Sequence, residues 1–233
     1  MADRYYVDTP IAGSTARLTG SEAHHVAHVM RAKPGTQVTL FDGSGAEFTA
    51  TIERVGRAEI DLQVTAREEV NRELPVSITL GAALPKGDRQ RWLVEKATEL
   101  GVARIVPLIT ERSNDRESPS ALEKLRRAVI EASKQCGRNC LLEIATPQPV
   151  LEFVRDGGLP KMRWLAHPGG ERHQPGLAGE EAIALAVGPE GGFTPAEVDA
   201  AREVDWRMID LGTRILRVET AALVLAARVA LHS

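Results

Sequence analysis

The chain is poor in the residues that would place it in several large classes. Only 4% of its 233 residues are aromatic, and it holds two cysteines. A membrane-spanning helix needs about 20 consecutive apolar residues. The longest run here, Ala221 to Ala227, stops at Arg228. The first residues, Met1 to Asp8, lack the apolar core of a signal peptide. Cys136 and Cys140 are too few for a disulfide framework or a four-cysteine zinc site. These absences lead us to expect a reduced, cytoplasmic protein with no membrane partner. A strong excess of basic charge is missing too: the formal net charge is -3, which argues against a general nucleic-acid binder. Hydrophobic residues make up 43% of the chain, which excludes a disordered one. The length suits one large domain or two modest ones.

Two regions differ in periodicity. In residues 1–72, short alternating runs (Gln37 to Phe41, Ala46 to Ile52, Glu59 to Val64) are separated by turn residues such as Asp42-Gly43-Ser44-Gly45. This pattern predicts antiparallel strands in a small barrel. A helix from about Ser21 to Arg31 interrupts them. The polar stretch Arg67 to Pro75 is the expected linker. Beyond it, strand-like runs at Val76 to Leu80, Ala103 to Leu108, Met162 to Ala166, Ala182 to Val187 and Met208 to Leu211 alternate with helical patterns. Asp88 is the expected cap of a helix that stops at Gly101. Ser120-Ala121-Leu122-Glu123 reads as a capping box, opening a helix with Leu125, Val129, Ala132 and Cys136 on one stripe. Ala221 to Leu231 reads as the last helix. The alternation predicts an α/β domain with a parallel sheet.

Ligands in such folds sit at the carboxyl ends of strands. Two loops there stand out. In Val187-Gly188-Pro189-Glu190-Gly191-Gly192-Phe193, the glycines allow close backbone approach to a ligand. Thr194, Pro195 and Glu197 then supply a cap, a first helical residue and a capping-box partner. The loop is no dinucleotide or P-loop fingerprint, and Glu190 would repel a phosphate. A neutral or cationic ligand portion fits better. The second loop runs from Leu211-Gly212-Thr213-Arg214 to Ile215-Leu216-Arg217-Val218-Glu219-Thr220. Charges among apolar neighbours are costly unless paired or functional. Here they are Arg214, Arg217 and Glu219, with Thr220 as a possible cap. Each loop also has a plain structural reading: a tight strand-to-helix turn, and an Arg–Glu bridge with an ordinary cap.

Together the loops resemble those of the SPOUT superfamily of S-adenosylmethionine-dependent RNA methyltransferases, and within it the RsmE family, which methylates uridine N3 in 16S ribosomal RNA. The resemblance extends to His24-His25-Val26 through Val29-Met30-Arg31, Leu40-Phe41-Asp42-Gly43, Lys86-Gly87-Asp88-Arg89, Lys96 to Val102, Glu111-Arg112-Ser113 and Gln135-Cys136-Gly137-Arg138. Only Pro168 to Gly179 finds no clear counterpart. The resemblance implies a PUA-like β-barrel at residues 1–72 and, at 73–233, a methyltransferase domain with a deep trefoil knot. It also implies a homodimer. Its methyl donor would bind on Leu165-Ala166-His167, on Gly188, Pro189, Glu190, Gly191 and Gly192, and on Leu211 to Thr220, with Gly212 and Thr220 included. Backbone groups of Leu211 and Leu216 would hold the adenine. Arg217 and Arg214 would orient the base or stabilise its anion, and Glu219 would accept the N3 proton or position Arg217. The implied partner is 16S rRNA within the assembled small subunit.

RNA contact needs cations. Lys124 to Arg138 carries Lys124, Arg126, Arg127, Lys134 and Arg138 against Glu131, a balance of +4. Arg89 adds to it from the preceding helix. Residues 1–72 hold eight basic and ten acidic residues, so RNA there would meet local patches such as Arg4, Arg31 and Lys33. A solvated helix face is the plain alternative. His24 and His28 share a helix face and could bind a metal, but N3 transfer to a sulfonium-activated methyl needs neither metal nor cysteine. None is expected. The competing functions are a SPOUT ribose 2′-O-methyltransferase and a non-catalytic RNA-binding assembly protein.

Overall fold

The computed structural model describes residues 3–113, 118–172, 176–177 and 179–232. Two compact units emerge: residues 1–73 with 133–141, and residues 74–132 with 142–233.

In the first unit, β1 (Arg4–Tyr6), β2 (Thr15–Thr19), β3 (Gln37–Phe41), β4 (Ala46–Val55) and β5 (Glu59–Glu69) form one sheet in the order β1-β3-β4-β5-β2. β1 runs parallel to β3, and the other pairs are antiparallel. Alternation is clean in β4, whose Ala46, Phe48, Ala50 and Ile52 are buried with Leu40, Ile60 and Leu62. The expected barrel is an open ladder: no pair joins β1 to β2 among the described residues. Register shifts in β4 at Thr49/Ala50 and Ile52/Arg54 mark bulges, which bend a sheet. The expected linker is partly strand. β5 continues through Arg67, Glu68 and Glu69, exposed but hydrogen-bonded to β4. The expected Ser21 to Arg31 helix is α1 (Gly20–His24) followed at once by a π-turn over His25–Val29.

The last residues of this unit lock onto the first. Arg4 donates to Glu47 Oε2 (2.7 Å) and to Asn139 Oδ1 (2.6 Å). Lys134 Nζ meets Glu22 Oε1 at 2.8 Å, and the buried Arg138 pairs with Glu73. Three of the cations expected on an RNA surface, Arg4, Lys134 and Arg138, are therefore consumed in internal ion pairs. The +4 of the Lys124 to Arg138 segment is correspondingly reduced. Desolvation pushes the Glu47 carboxyl up, but Arg4 and Arg72 beside it more than offset this and hold it below the usual range.

In the second unit, β6 (Ser77–Ala82), β7 (Arg104–Ile109), β8 (Glu143–Ile144), β10 (Met162–Glu171), β11 (Ala182–Val187) and β12 (Arg207–Ile209) lie in the order β12-β10-β11-β6-β7-β8. Short β9 (Gln148–Pro149) also pairs with β7. Every pair is parallel. The helices are α2 (Asp88–Glu99), α3 (Pro119–Cys136), α4 (Val150–Arg155), α5 (Pro195–Arg202) and α6 (Val218–Ala230). α6 packs on β6, β11 and α2, while α4 packs on β7, β9 and α5. β11 is buried on both faces, as parallel strands are. Ala184 and Ala186 join Phe153, Val198, Trp206 and Met208 in one core cluster, and Trp206 Nε1 donates to the Val154 carbonyl (3.0 Å).

Three expected helix starts move. α2 is capped by Gly87 at φ +67°, with Asp88 already helical. Ser118 precedes α3 and its Oγ accepts from Ala121 N (3.2 Å), so the Ser120 box lies inside the first turn. α6 starts at Val218 with Arg217 as its cap, so Thr220 is helical and caps nothing. Cys136 is only half-buried, and both cysteines are free. No helix among the described residues is long and apolar enough to cross a membrane.

Gly81 of β6 tests the packing. A Cβ there would come within 2.6 Å of the Phe153 ring and 3.2 Å of Leu108. Gly81→Ala is expected to destabilise the protein by about 1–3 kcal/mol through overpacking, measured as a lower urea midpoint at unchanged m-value.

Candidate active site

Three adjacent strands, β10, β11 and β12, end at one cavity of about 500 Å³, within the ordinary range for small-ligand sites. Ala166, His167 and Pro168 line it from within β10, where its pairing with β12 is interrupted, Gly188 to Phe193 after β11, and Asp210 to Leu216 after β12. Ala166 and Glu171 both pair with Ile209, so residues 167–170 leave the β10 ladder and stand in or beside the wall. Leu165 does not reach the cavity. It is fully buried in the core, because side chains alternate along a strand and its neighbour Ala166 takes the open face. Thr220 is exposed on α6 and also lies off the wall.

The glycine loop is held by one carboxylate. Glu197, 4% exposed, accepts from Thr194 N with Oε2 (2.7 Å) and from Glu111 N with Oε1 (2.9 Å). Thr194 Oγ1 accepts from Glu197 N (3.3 Å), completing the expected capping box. Arg112, to which the sequence reading gave no role, donates to the Gly191 carbonyl and lines the cavity. A Cβ on Gly188 would press on the Phe193 ring at 3.2 Å, and Gly192 holds φ +70°. The loop is thus shaped for bare backbone to face the cavity.

Asp210 fixes the second loop. Its Oδ1 accepts from Gly212 N (2.8 Å) and its Oδ2 from Arg172 Nε (3.2 Å). These bonds, the Gly212 amide first, hold its carboxyl below the usual aspartate range. Gly212 takes φ +118°, which few side chains tolerate. Leu211 and Leu216 line the cavity, and Ile215 is 98% exposed at its rim.

The charges arrange differently from the sequence expectation. Arg214 and Arg217 are exposed and form no ion pair among the described residues, so neither is a bridge to Glu219. Glu219 is buried and meets Arg89 instead, at 3.7 Å, while Arg89 also meets Glu190 at 3.2 Å. Arg89, expected as an RNA contact, bridges the carboxylates of both signature loops. Glu219 Oε2 has no hydrogen-bond partner, and its side chain lies off the cavity wall. The helical spacing of Lys86-Gly87-Asp88-Arg89 gave no sign of this bridge. Arg31, Lys33, Lys124 and Arg127 are exposed. No group of three or more His, Cys, Asp or Glu among the described residues could hold a metal, and His24 and His28 stack on each other at 4.6 Å.

Comparison with known proteins defines the class. Residues 72–230 match the family model of an RNA methyltransferase domain, and residues 18–65 match an RNA methyltransferase PUA domain. The chain is 31% identical to ribosomal RNA small subunit methyltransferase E of Bacillus subtilis, over 90% of this chain and 87% of that protein. It is 33% identical to the Synechocystis protein of the same name, over 94% and 74%. The structure of the Neisseria gonorrhoeae protein of that name, bound to S-adenosyl methionine, superposes with TM-score 0.89 at 29% identity, covering 98% of this chain and 96% of that one. A Legionella pneumophila protein solved with bound SAM gives 0.88 at 33%, with the same coverage. The chain belongs to the ribosomal RNA small subunit methyltransferase E family.

Two outcomes follow from this geometry. Glu197→Ala strands two backbone N–H groups at about 1–3 kcal/mol each; the expected result is a lower denaturation midpoint together with weaker binding of S-adenosylmethionine in calorimetry. For Asp210 the depressed pKa fixes the sign. Its contribution to stability is complete above the ordinary aspartate value and is lost as pH falls through the lower folded-state value. Asp210→Asn is expected to flatten the acid side of the stability–pH curve.

Proposed function

We propose that this protein is an S-adenosylmethionine-dependent methyltransferase that methylates N3 of a uridine in 16S rRNA of the small ribosomal subunit. The observation that carries the reading is the cavity of three consecutive strand ends, walled by glycine-loop backbone, in a chain of this family. The residues fit the methyl donor: the wall is mostly apolar, with glycine-loop backbone on one side, and the carboxylates lining it among the described residues are Glu190 and Asp210. Such a wall suits a largely apolar ligand that carries few charges. When bound, S-adenosylmethionine supplies an electrophilic methyl group on a sulfonium centre.

The chain's own part is to hold, orient and stabilise. Backbone at Gly188 to Gly192 and at Leu211 to Leu216 would hold the cofactor, with Glu190 as a carboxylate on the same wall. Uridine N3 becomes nucleophilic on losing its proton. Arg214 on the wall and Arg217 at the cap of α6 are cations free to stabilise the resulting anion at O2 or O4. Glu219 acts through Arg89: the buried carboxylate steadies the guanidinium that restrains Glu190. Residues 1–72 form the PUA-like RNA-binding domain and 73–233 the catalytic domain, which is knotted and dimerises. Arg31, Lys33, Lys124 and Arg127 supply phosphate contacts. The substrate is the assembled small subunit, in the cytoplasm.

The test is nucleoside mass spectrometry of 16S rRNA from a deletion strain before and after complementation. The expected product is 3-methyluridine; a 2′-O-methyl nucleoside would support the ribose methyltransferase instead. Arg217→Ala is expected to slow single-turnover methylation by about 10²-fold or more, with cofactor affinity unchanged. Glu219→Gln is expected to lower the rate while keeping the shape of the wild-type pH–rate profile. Loss of the acid limb would make Glu219 the proton acceptor.

A further inference from the structure

The π-turn of the first unit puts Val26 in the core with Ala27 packed beside it, and leaves His28, Val29 and Met30 exposed. Val26 is its buried anchor, fully covered, and Met30 N closes onto the His25 carbonyl (3.0 Å), Ala32 N onto that of Val26 (3.1 Å). π-turns are rare and concentrate at functional sites. Arg31 follows at φ +51°, a left-handed conformation that glycine takes freely and a side chain adopts only under strain. The segment is then fastened again, by Lys33 N to Thr36 Oγ1 (3.3 Å) and Gly35 N to the Ile52 carbonyl (2.8 Å). A fixed, strained turn is holding its outward side chains in place.

Those side chains have a consistent chemistry. Val29 is 60% exposed and Met30 42%, and they are the exposed large apolar residues of this unit. Arg31 and Lys33 are exposed beside them and form no ion pair among the described residues. Elsewhere in the unit Arg4, Arg17, Arg54, Arg67 and Arg72 are each paired to a carboxylate. No acidic residue occurs between Glu22 and Asp42, so nothing on this turn repels a polyanion. Two apolar groups flanked by two unpaired cations suit an unpaired nucleotide, with its apolar base face and its phosphates.

We propose that Val29, Met30, Arg31 and Lys33 form a preorganised contact for a single-stranded RNA segment: Val29 and Met30 pack on an unstacked base, and Arg31 and Lys33 hold the adjoining phosphates. This rests on the RNA-methyltransferase reading.

Two full-length variants separate this from a structural role. Arg31→Gly removes the cation and the backbone strain together. It is expected to leave thermal stability equal or higher, to weaken binding to small ribosomal subunits from the deletion strain, and to reduce the salt slope of that binding by about one. Val29→Ser with Met30→Ser is expected to weaken binding by about tenfold or more, with the salt slope unchanged. In methylation assays both raise KM for the subunit and leave kcat and cofactor affinity as in the wild type. Wild-type binding and KM in both variants would overturn the proposal while the methyltransferase reading stands. Subunit binding is read without turnover, so it decides the role of the turn even if the wild-type protein yields no 3-methyluridine, the result that would sink the functional reading.

Discussion

The carboxylate of Glu197 is the constraint on which the site depends. It takes backbone N–H groups from two separate loops, Thr194 after β11 and Glu111 after β7. Without it, both loop ends would bury unpaired donors. With it, the Gly188 to Phe193 loop has a fixed exit into α5, and Arg112 is carried to the Gly191 carbonyl. A glycine-rich loop pays heavily in entropy to be ordered, so an anchor at its end is what turns permissive backbone into a shaped wall. Asp210 does the same for the neighbouring loop through Gly212.

Much of the second unit was legible because its signals are local. β11 falls at Ala182 to Val187 as an uninterrupted apolar run, and the Thr194-Pro195-Ala196-Glu197 cap is an i to i+3 relation that needs no tertiary information. Both loops were found because glycine and charge are conspicuous next to apolar strands. Helix starts were less legible. Gly87 and Ser118 displaced better-looking caps one or two residues along, since a cap is decided by where the chain enters the helix as well as by side-chain type. The exposed end of β5 reads as a linker because both its faces are polar, although its backbone is paired.

The charges were misread for a more general reason. A sequence shows which cations exist but not which carboxylates reach them. Arg4, Lys134 and Arg138 stand in a basic context along the chain and face acids that are distant in it: Glu47, Glu22 and Glu73. Arg89 likewise finds Glu190 and Glu219 across about a hundred residues or more of chain. The net charge is blind to this pairing, which the fold alone reveals. Among the described residues, cations left without a carboxylate include Arg31 and Lys33 at the turn after α1, Lys124 on α3, and Arg214 and Arg217 by the cavity.

The division of the first unit into residues 1–73 and 133–141 bears on how the molecule is made. The partners of Arg4, Glu22 and Glu73 leave the ribosome only when residues 134–139 do, well after the strands they steady. In the second unit β6 has a wait of similar length, because its neighbour β11 lies about a hundred positions later. Pairings of such long sequence separation form slowly. Nascent chains will thus carry an unfinished sheet through most of their synthesis, with the apolar edge of β6 uncovered.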